Sequence, residues 1–170
     1  MTVEIRVLRG DDDRSPFRSG DEALDLFFHR YAGQNQFRHH IGVTYVAVEE
    51  ERIVGFATVA AASLDADDLP SGRRMPPYPL PVLRVARLAV GESEQGRGLG
   101  RALLRFCVEL AEKMRDELGC VGLVVDAKPR AVDFYRGFGL IEVIEAEGGA
   151  QARPKPTMMF LPLAAVPRRP

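Results

Sequence analysis

Gln95-Gly96-Arg97-Gly98-Leu99-Gly100, with Arg101 next, decides how this chain is read. The apolar run Leu88-Ala89-Val90 precedes it, and Leu103, Phe106, Cys107, Leu110 and Met114 then recur at steps of three and four. That spacing predicts a helix from Leu99 to about Leu118, stopped by Gly119. Alternating glycines between a strand and a helix let backbone approach a ligand closely and leave N–H groups pointing outward. With the positive end of the helix dipole behind them, those donors suit phosphate.

Other glycine loops fit less well. A dinucleotide fingerprint starting at Gly96 needs glycine at position 101, which is Arg101, and a Walker loop starting at Gly91 needs Lys where Arg97 stands. A second landmark lies downstream, Asp133-Phe134-Tyr135-Arg136-Gly137-Phe138-Gly139-Leu140. Pro129 suits the first turn of a short helix over Ala131 to Arg136, and Gly137 and Gly139 are exits from it. Phe134 and Phe138 read as core aromatics, and Tyr135 as a functional phenol.

Composition bounds the answer. The 170 residues carry a formal net charge of −1, 46% hydrophobic and 28% charged residues, ordinary for a single globular domain over residues 1–170. The balance argues against a protein built mainly to bind nucleic acid. Local basic groups exist: Arg38-His39-His40, Arg73-Arg74, Arg84 with Arg87, and Arg168-Arg169. No apolar run reaches membrane-span length and Met1-Thr2-Val3-Glu4 is no signal peptide, so a cytoplasmic protein without membrane association is expected. Cys107 and Cys120 are too few for a disulfide framework or a zinc site, so no metal is expected, and Cys107 reads as core.

From the start, Val3, Ile5 and Val7 alternate as a strand, and Asp11-Asp12-Asp13 make a solvated turn. Ser19 with Glu22 reads as a capping box opening a helix whose apolar face is Leu24, Phe27, Phe28 and Tyr31. A weaker helical piece follows around Asn35 to His40. Tyr45 to Val48 and Ile53 to Val59 form a hairpin about Glu49-Glu50-Glu51-Arg52. Leu64 to Pro81 is a proline-rich loop, of the length that tends to be functional. Val82 to Val90, Val121 to Val125, Leu140 to Ile144 and Thr157 to Leu161 complete the strands, the last two separated by Gly148-Gly149.

This order, with the glycine loop and the aromatic segment, resembles the GNAT superfamily of N-acetyltransferases over nearly the whole chain. The resemblance implies an α/β (α+β) fold: a mixed, mostly antiparallel sheet of six to seven strands, splayed between the fourth and fifth and flanked by about four helices. It implies acetyl-CoA as co-substrate, with its pyrophosphate on Gln95, Gly96, Arg97, Gly98, Leu99, Gly100 and Arg101, aided by the Arg97 and Arg101 side chains. Leu88, Ala89 and Val90 would pair with the pantetheine arm and polarise the thioester, Phe134 would border the cofactor, and Tyr135 would protonate the departing thiolate. For the base, Glu92, His39 and His40 are weak candidates beside a water chain.

Phe17, Ser19-Gly20 with Leu24, Gln34-Asn35-Gln36, Pro79 to Leu83 and Val125-Asp126-Ala127-Lys128 look like the acetyltransferase toxins of bacterial toxin–antitoxin pairs, which acetylate charged tRNA. Those toxins are usually strongly basic, and this chain is not. The expectation is therefore an N-acetyltransferase for the primary amine of a small or peptidyl acceptor. The alternative is a tRNA-acetylating toxin with an antitoxin partner, and a non-catalytic CoA-binding sensor is the reading of another class. A homodimer is compatible with each.

Overall fold

The computed structural model describes residues 2–69, 75–143 and 156–166, so Arg73-Arg74, Ile144, Gly148-Gly149 and Arg168-Arg169 lie outside the described residues. The strands are β1 (Glu4–Val7), β2 (Val43–Glu49), β3 (Arg52–Leu64), β4 (Leu80–Val90), β5 (Gly122–Ala127), β6 (Ile141–Glu142) and β7 (Thr157–Pro162). They form one seven-stranded sheet in the order β1-β2-β3-β4-β5-β7-β6, mixed because β4 and β5 run parallel. The α-helices are α1 (Glu22–Leu26), α2 (Leu99–Glu117) and α3 (Val132–Phe138). The chain divides into two compact units, Met1–Ala60 with Val85–Glu109, and Ala61–Arg84 with Leu110–Pro170.

In the first unit, β1 pairs antiparallel with β2, and β2 with β3, in a register that sets Glu49 opposite Arg52. The two-residue turn between them holds Glu50 and Glu51 at φ 50° and 63°. Both are left-handed, as a tight hairpin turn requires, although neither is glycine. The core gathers Leu8, Phe17, Phe27, Phe28, Ala32, Val46, Phe56 and Ala89, with Phe28 stacked on Phe56 at 4.3 Å.

Two expectations change here. The cap of α1 is Asp21, not Ser19: the Asp21 carboxylate accepts from the N–H groups of Ala23 and Leu24 at 3.0 and 3.1 Å. Ser19 is itself held, its N–H and hydroxyl both donating to Asp25. Beyond Leu26 the winding widens to π-type turns over Phe27–Tyr31 and again over Gln34–His39. Bonding at i to i+5 shifts the apolar stripe, so Phe27 and Phe28 are buried while Tyr31 stays exposed.

The second unit has its own core of Leu64, Val82, Val124, Val143 and Phe160. β5 and β6 each pair antiparallel with β7. Gly122 permits this packing, because a Cβ there would lie 2.3 Å from the Phe160 ring. β4 opens at Leu80, so Pro81 sits inside its first turn of pairing, near the strand start where the missing N–H is tolerated.

Candidate functional site

The glycine loop belongs to the first unit. β4 delivers Leu88, Ala89 and Val90, of which Ala89 is buried, and Gly91 N–H bonds the Val54 carbonyl at 2.9 Å. Gly55 lies beneath: a Cβ there would come within 3.1 Å of the Ala89 carbonyl oxygen and of Leu103, so β3 sits close under the loop's entry and the helix after it. A 3₁₀ turn, Glu92–Glu94, then leads into the loop. The Gln95 amide donates to the carbonyls of Ser19 and Val90, at 3.0 and 3.3 Å, fixing the loop's first residue.

Gly96 and Gly98 have φ of 85° and 82°, and a Cβ at either would meet nothing within 4 Å. Glycine serves conformation here, and the space over the loop is open. α2 follows at once, with Leu99 buried and Ala102 N–H bonded to the Gly98 carbonyl at 3.0 Å. The helix's first amides have no acceptor within it, and its dipole adds partial positive charge at that end. Leu103, Leu104, Cys107, Val108 and Ala111 bury its inner face. The Cys107 thiol, among them, is pushed up to about 12 by burial.

The side chain of Arg97 departs from expectation. Its guanidinium donates to both Glu49 oxygens, at 3.3 and 2.7 Å, and to Glu94. Arg52 reaches the other Glu94 oxygen at 2.7 Å. Hydrogen bonding to Arg97 holds the Glu49 carboxyl below its usual range, and Arg52 with Arg97 does the same for Glu94. The Arg97 side chain is thus committed to carboxylates, and what residue 97 can offer a phosphate is its backbone. The sequence reading missed Glu49, Glu94 and Arg52, because Glu49-Glu50-Glu51-Arg52 looks like a solvated turn.

Tyr135 and Phe134 lie in the second unit, on α3. Pro129 opens a 3₁₀ turn ahead of the helix, and Gly139 at φ 117° ends it, in place of Gly137. Tyr135 is 5% exposed with its ring edge-on to Phe134 at 5.1 Å. Phe134 is 38% exposed and Phe138 half-buried, so Phe134 is not the core aromatic expected. Of the candidate bases, Glu92, His39 and His40 are all exposed, and Glu92 backs Gly20, where a Cβ would lie 2.8 Å from its carboxylate.

Two of the basic candidates are occupied within their own units. Arg84 pairs with Asp126 at 3.5 Å, and Arg87 lies 3.8 Å over the Phe27 ring. Among the described residues no group of three or more His, Cys, Asp or Glu could hold a metal, and no helix is long and apolar enough to cross a membrane.

The sequence profile of the acetyltransferase (GNAT) family matches residues 5–140. A tRNA-acetylating toxin of Mycobacterium tuberculosis is 36% identical over 123 residues, 72% of this chain and 74% of that protein. The structure of AtaT complexed with acetyl-methionyl-tRNAfMet superposes with a TM-score of 0.85 at 25% identity, covering 97% of each chain. The structure of AtaTR bound with AcCoA gives a TM-score of 0.79 at 26% identity, covering 96% of this chain and 95% of that one.

Proposed function

Because this chain belongs to the acetyltransferase (GNAT) family, we propose that residues 1–170 act as one acyltransferase domain that moves the acetyl group of acetyl-CoA onto the amino group of an aminoacyl-tRNA. The observation that carries this acceptor is the 36% identity to a tRNA-acetylating toxin across 72% of the chain. The likeness to AtaT with acetyl-methionyl-tRNAfMet supports it. The reading includes an antitoxin partner, since unchecked loss of charged tRNA would arrest the cell. It also places the protein in the cytoplasm, where both substrates are.

In this reading the pyrophosphate of acetyl-CoA rests on the backbone N–H groups of residues 95–101, at the positive end of α2. The edge of β4 at Leu88, Ala89 and Val90 pairs with the amide-bearing pantetheine arm, and one of its N–H groups polarises the thioester carbonyl. The neutral amine attacks that carbon, forming a C–N bond. The C–S bond then breaks, and the phenol of Tyr135 gives its proton to the thiolate, with Phe134 beside the cofactor. The amine's own proton leaves through water, as none of the candidate bases has a geometry that singles it out.

A second reading, a small or peptidyl amine as acceptor, is favoured by the net charge of −1 and by the commitment of Arg84 and Arg87 to Asp126 and Phe27. Incubation with acetyl-CoA and charged tRNA, followed by analysis of the esterified amino acid, separates the two. Acetyl-aminoacyl-tRNA formed at a rate that falls steeply with salt is expected. Rapid acetylation of small amines with untouched charged tRNA would overturn it in favour of the second reading. Tight acetyl-CoA binding without turnover on any amine would leave a sensor.

A further inference from the structure

Arg97 is the one residue between two glycines of left-handed φ, Gly96 and Gly98. Glycines lose more conformational freedom on ordering than any other residue, so a loop built on them must be pinned or must be ordered at each binding event. Its first residue is pinned by the Gln95 amide. Its middle is pinned through the guanidinium of Arg97, which Glu49 and Glu94 grip together.

The anchor is well built. Glu49 is 4% exposed at the end of β2, where ladder pairing with Arg52 fixes its backbone. Glu94 is 8% exposed and is shared by Arg52 and Arg97. Two carboxylates thus face two guanidiniums, and the charges cancel. This is a poor way to attract an anion, since a cluster without net charge offers a phosphate little pull. It is a good way to hold a flexible segment in one shape before the ligand arrives.

Building on the reading that acetyl-CoA binds at residues 95–101, we propose that Glu49 and Glu94, through the side chain of Arg97, brace this loop in its binding conformation. Glu49 is then a positioning residue for the co-substrate. Its carboxylate is engaged by Arg97, 48 residues later in the chain, so its part is to hold the loop.

The sign of one substitution decides the matter. Glu49→Gln removes a negative charge near the phosphate site and frees Arg97. If electrostatic attraction governed binding, acetyl-CoA would bind this variant more tightly. Bracing requires the opposite: Kd and KM for acetyl-CoA rise about tenfold while kcat at saturating acetyl-CoA stays within about twofold. Arg97→Lys is the companion variant, because an ammonium keeps the charge but cannot span two carboxylates as a planar fork does. Bracing predicts weaker binding in both variants, whereas direct contact of Arg97 with phosphate predicts that Glu49→Gln, which frees the guanidinium, binds as tightly as the wild type or more tightly.

Calorimetric titration of acetyl-CoA into the full-length wild type and both variants gives these values, with melting curves confirming that each is folded. Tighter or unchanged binding in the folded Glu49→Gln or Arg97→Lys protein would overturn the brace and leave the binding site standing. A wild type that fails to bind acetyl-CoA would overturn both.

Discussion

Residues 95–100 and residues 132–139 each set a proposed site group beside a helix end, one by exposing backbone and the other by burying a side chain. In the first, Gly96 and Gly98 turn the chain into α2 with open space above them. In the second, Gly139 ends α3, and the Gly139 and Leu140 N–H groups, at 3.2 and 3.1 Å, cap the carbonyl of the Tyr135 that the helix buries. A backbone site is written in glycine spacing and tolerates many neighbours. A side-chain site is written in packing and depends on what encloses it.

The largest effect expected tests the second region. Tyr135→Phe keeps the ring and its edge-on contact with Phe134 while removing the phenolic proton. Turnover should fall by about 10²–10⁴-fold with acetyl-CoA affinity unchanged, measured by thioester cleavage and by titration. Normal turnover would reduce Tyr135 to a packing residue, and the contrast between the regions would collapse.

Next, Gly98→Glu puts a carboxylate into the open space over the loop. Acetyl-CoA at about 100 times its Kd should stabilise the wild type by about 2.7 kcal/mol, and the matching rise in melting temperature should vanish in the variant. A retained shift would move the phosphate site elsewhere.

Gly96→Ala probes conformation alone, since its Cβ meets nothing. The cost should be that of forcing an L-residue left-handed, about 1–2 kcal/mol in the ligand-free protein, read from denaturant midpoints. A larger loss would mean that the loop is packed more tightly than the contrast allows.

The smallest effect concerns Cys107, on the buried face of α2. Its thiol is raised to about 12 by burial, above its value in the unfolded chain. The folded state therefore keeps a proton that the unfolded state loses. This contribution to stability is complete below about pH 8.5 and declines as pH rises towards 12. Denaturation midpoints across that range test the sign, and Cys107→Ser should flatten the trend.

What the sequence made legible follows the same division. The loop was readable because glycine placement and a strand–helix junction are local facts. The family likeness was readable from the same residues with Tyr135. The continuation of β3 past Val59 to Leu64 was not, because Ala60, Ala61, Ala62 and Ser63 have little strand preference of their own. Ser19 looked like a cap because Glu22 follows three residues later, yet Asp21 is nearer the helix and a stronger acceptor. The side chain of Arg97 looked like a phosphate ligand because its partner Glu49 belongs to another strand. No local pattern reports a pairing made across the fold.

The sheet order has a consequence for how the protein behaves in a crowded solution. Its longest strands, β3 of 13 residues and β4 of 11, are interior, while the two ends are β1 of four residues and β6 of two among the described residues. Unpaired strand edges are where chains recruit one another into aggregates, and edges this short offer few backbone groups to a stranger. Arg6 on β1 adds a charge to that margin, tied to Asp12 by two hydrogen bonds. With terminal edges this short, edge-to-edge pairing between copies of the chain should stay rare as the protein accumulates.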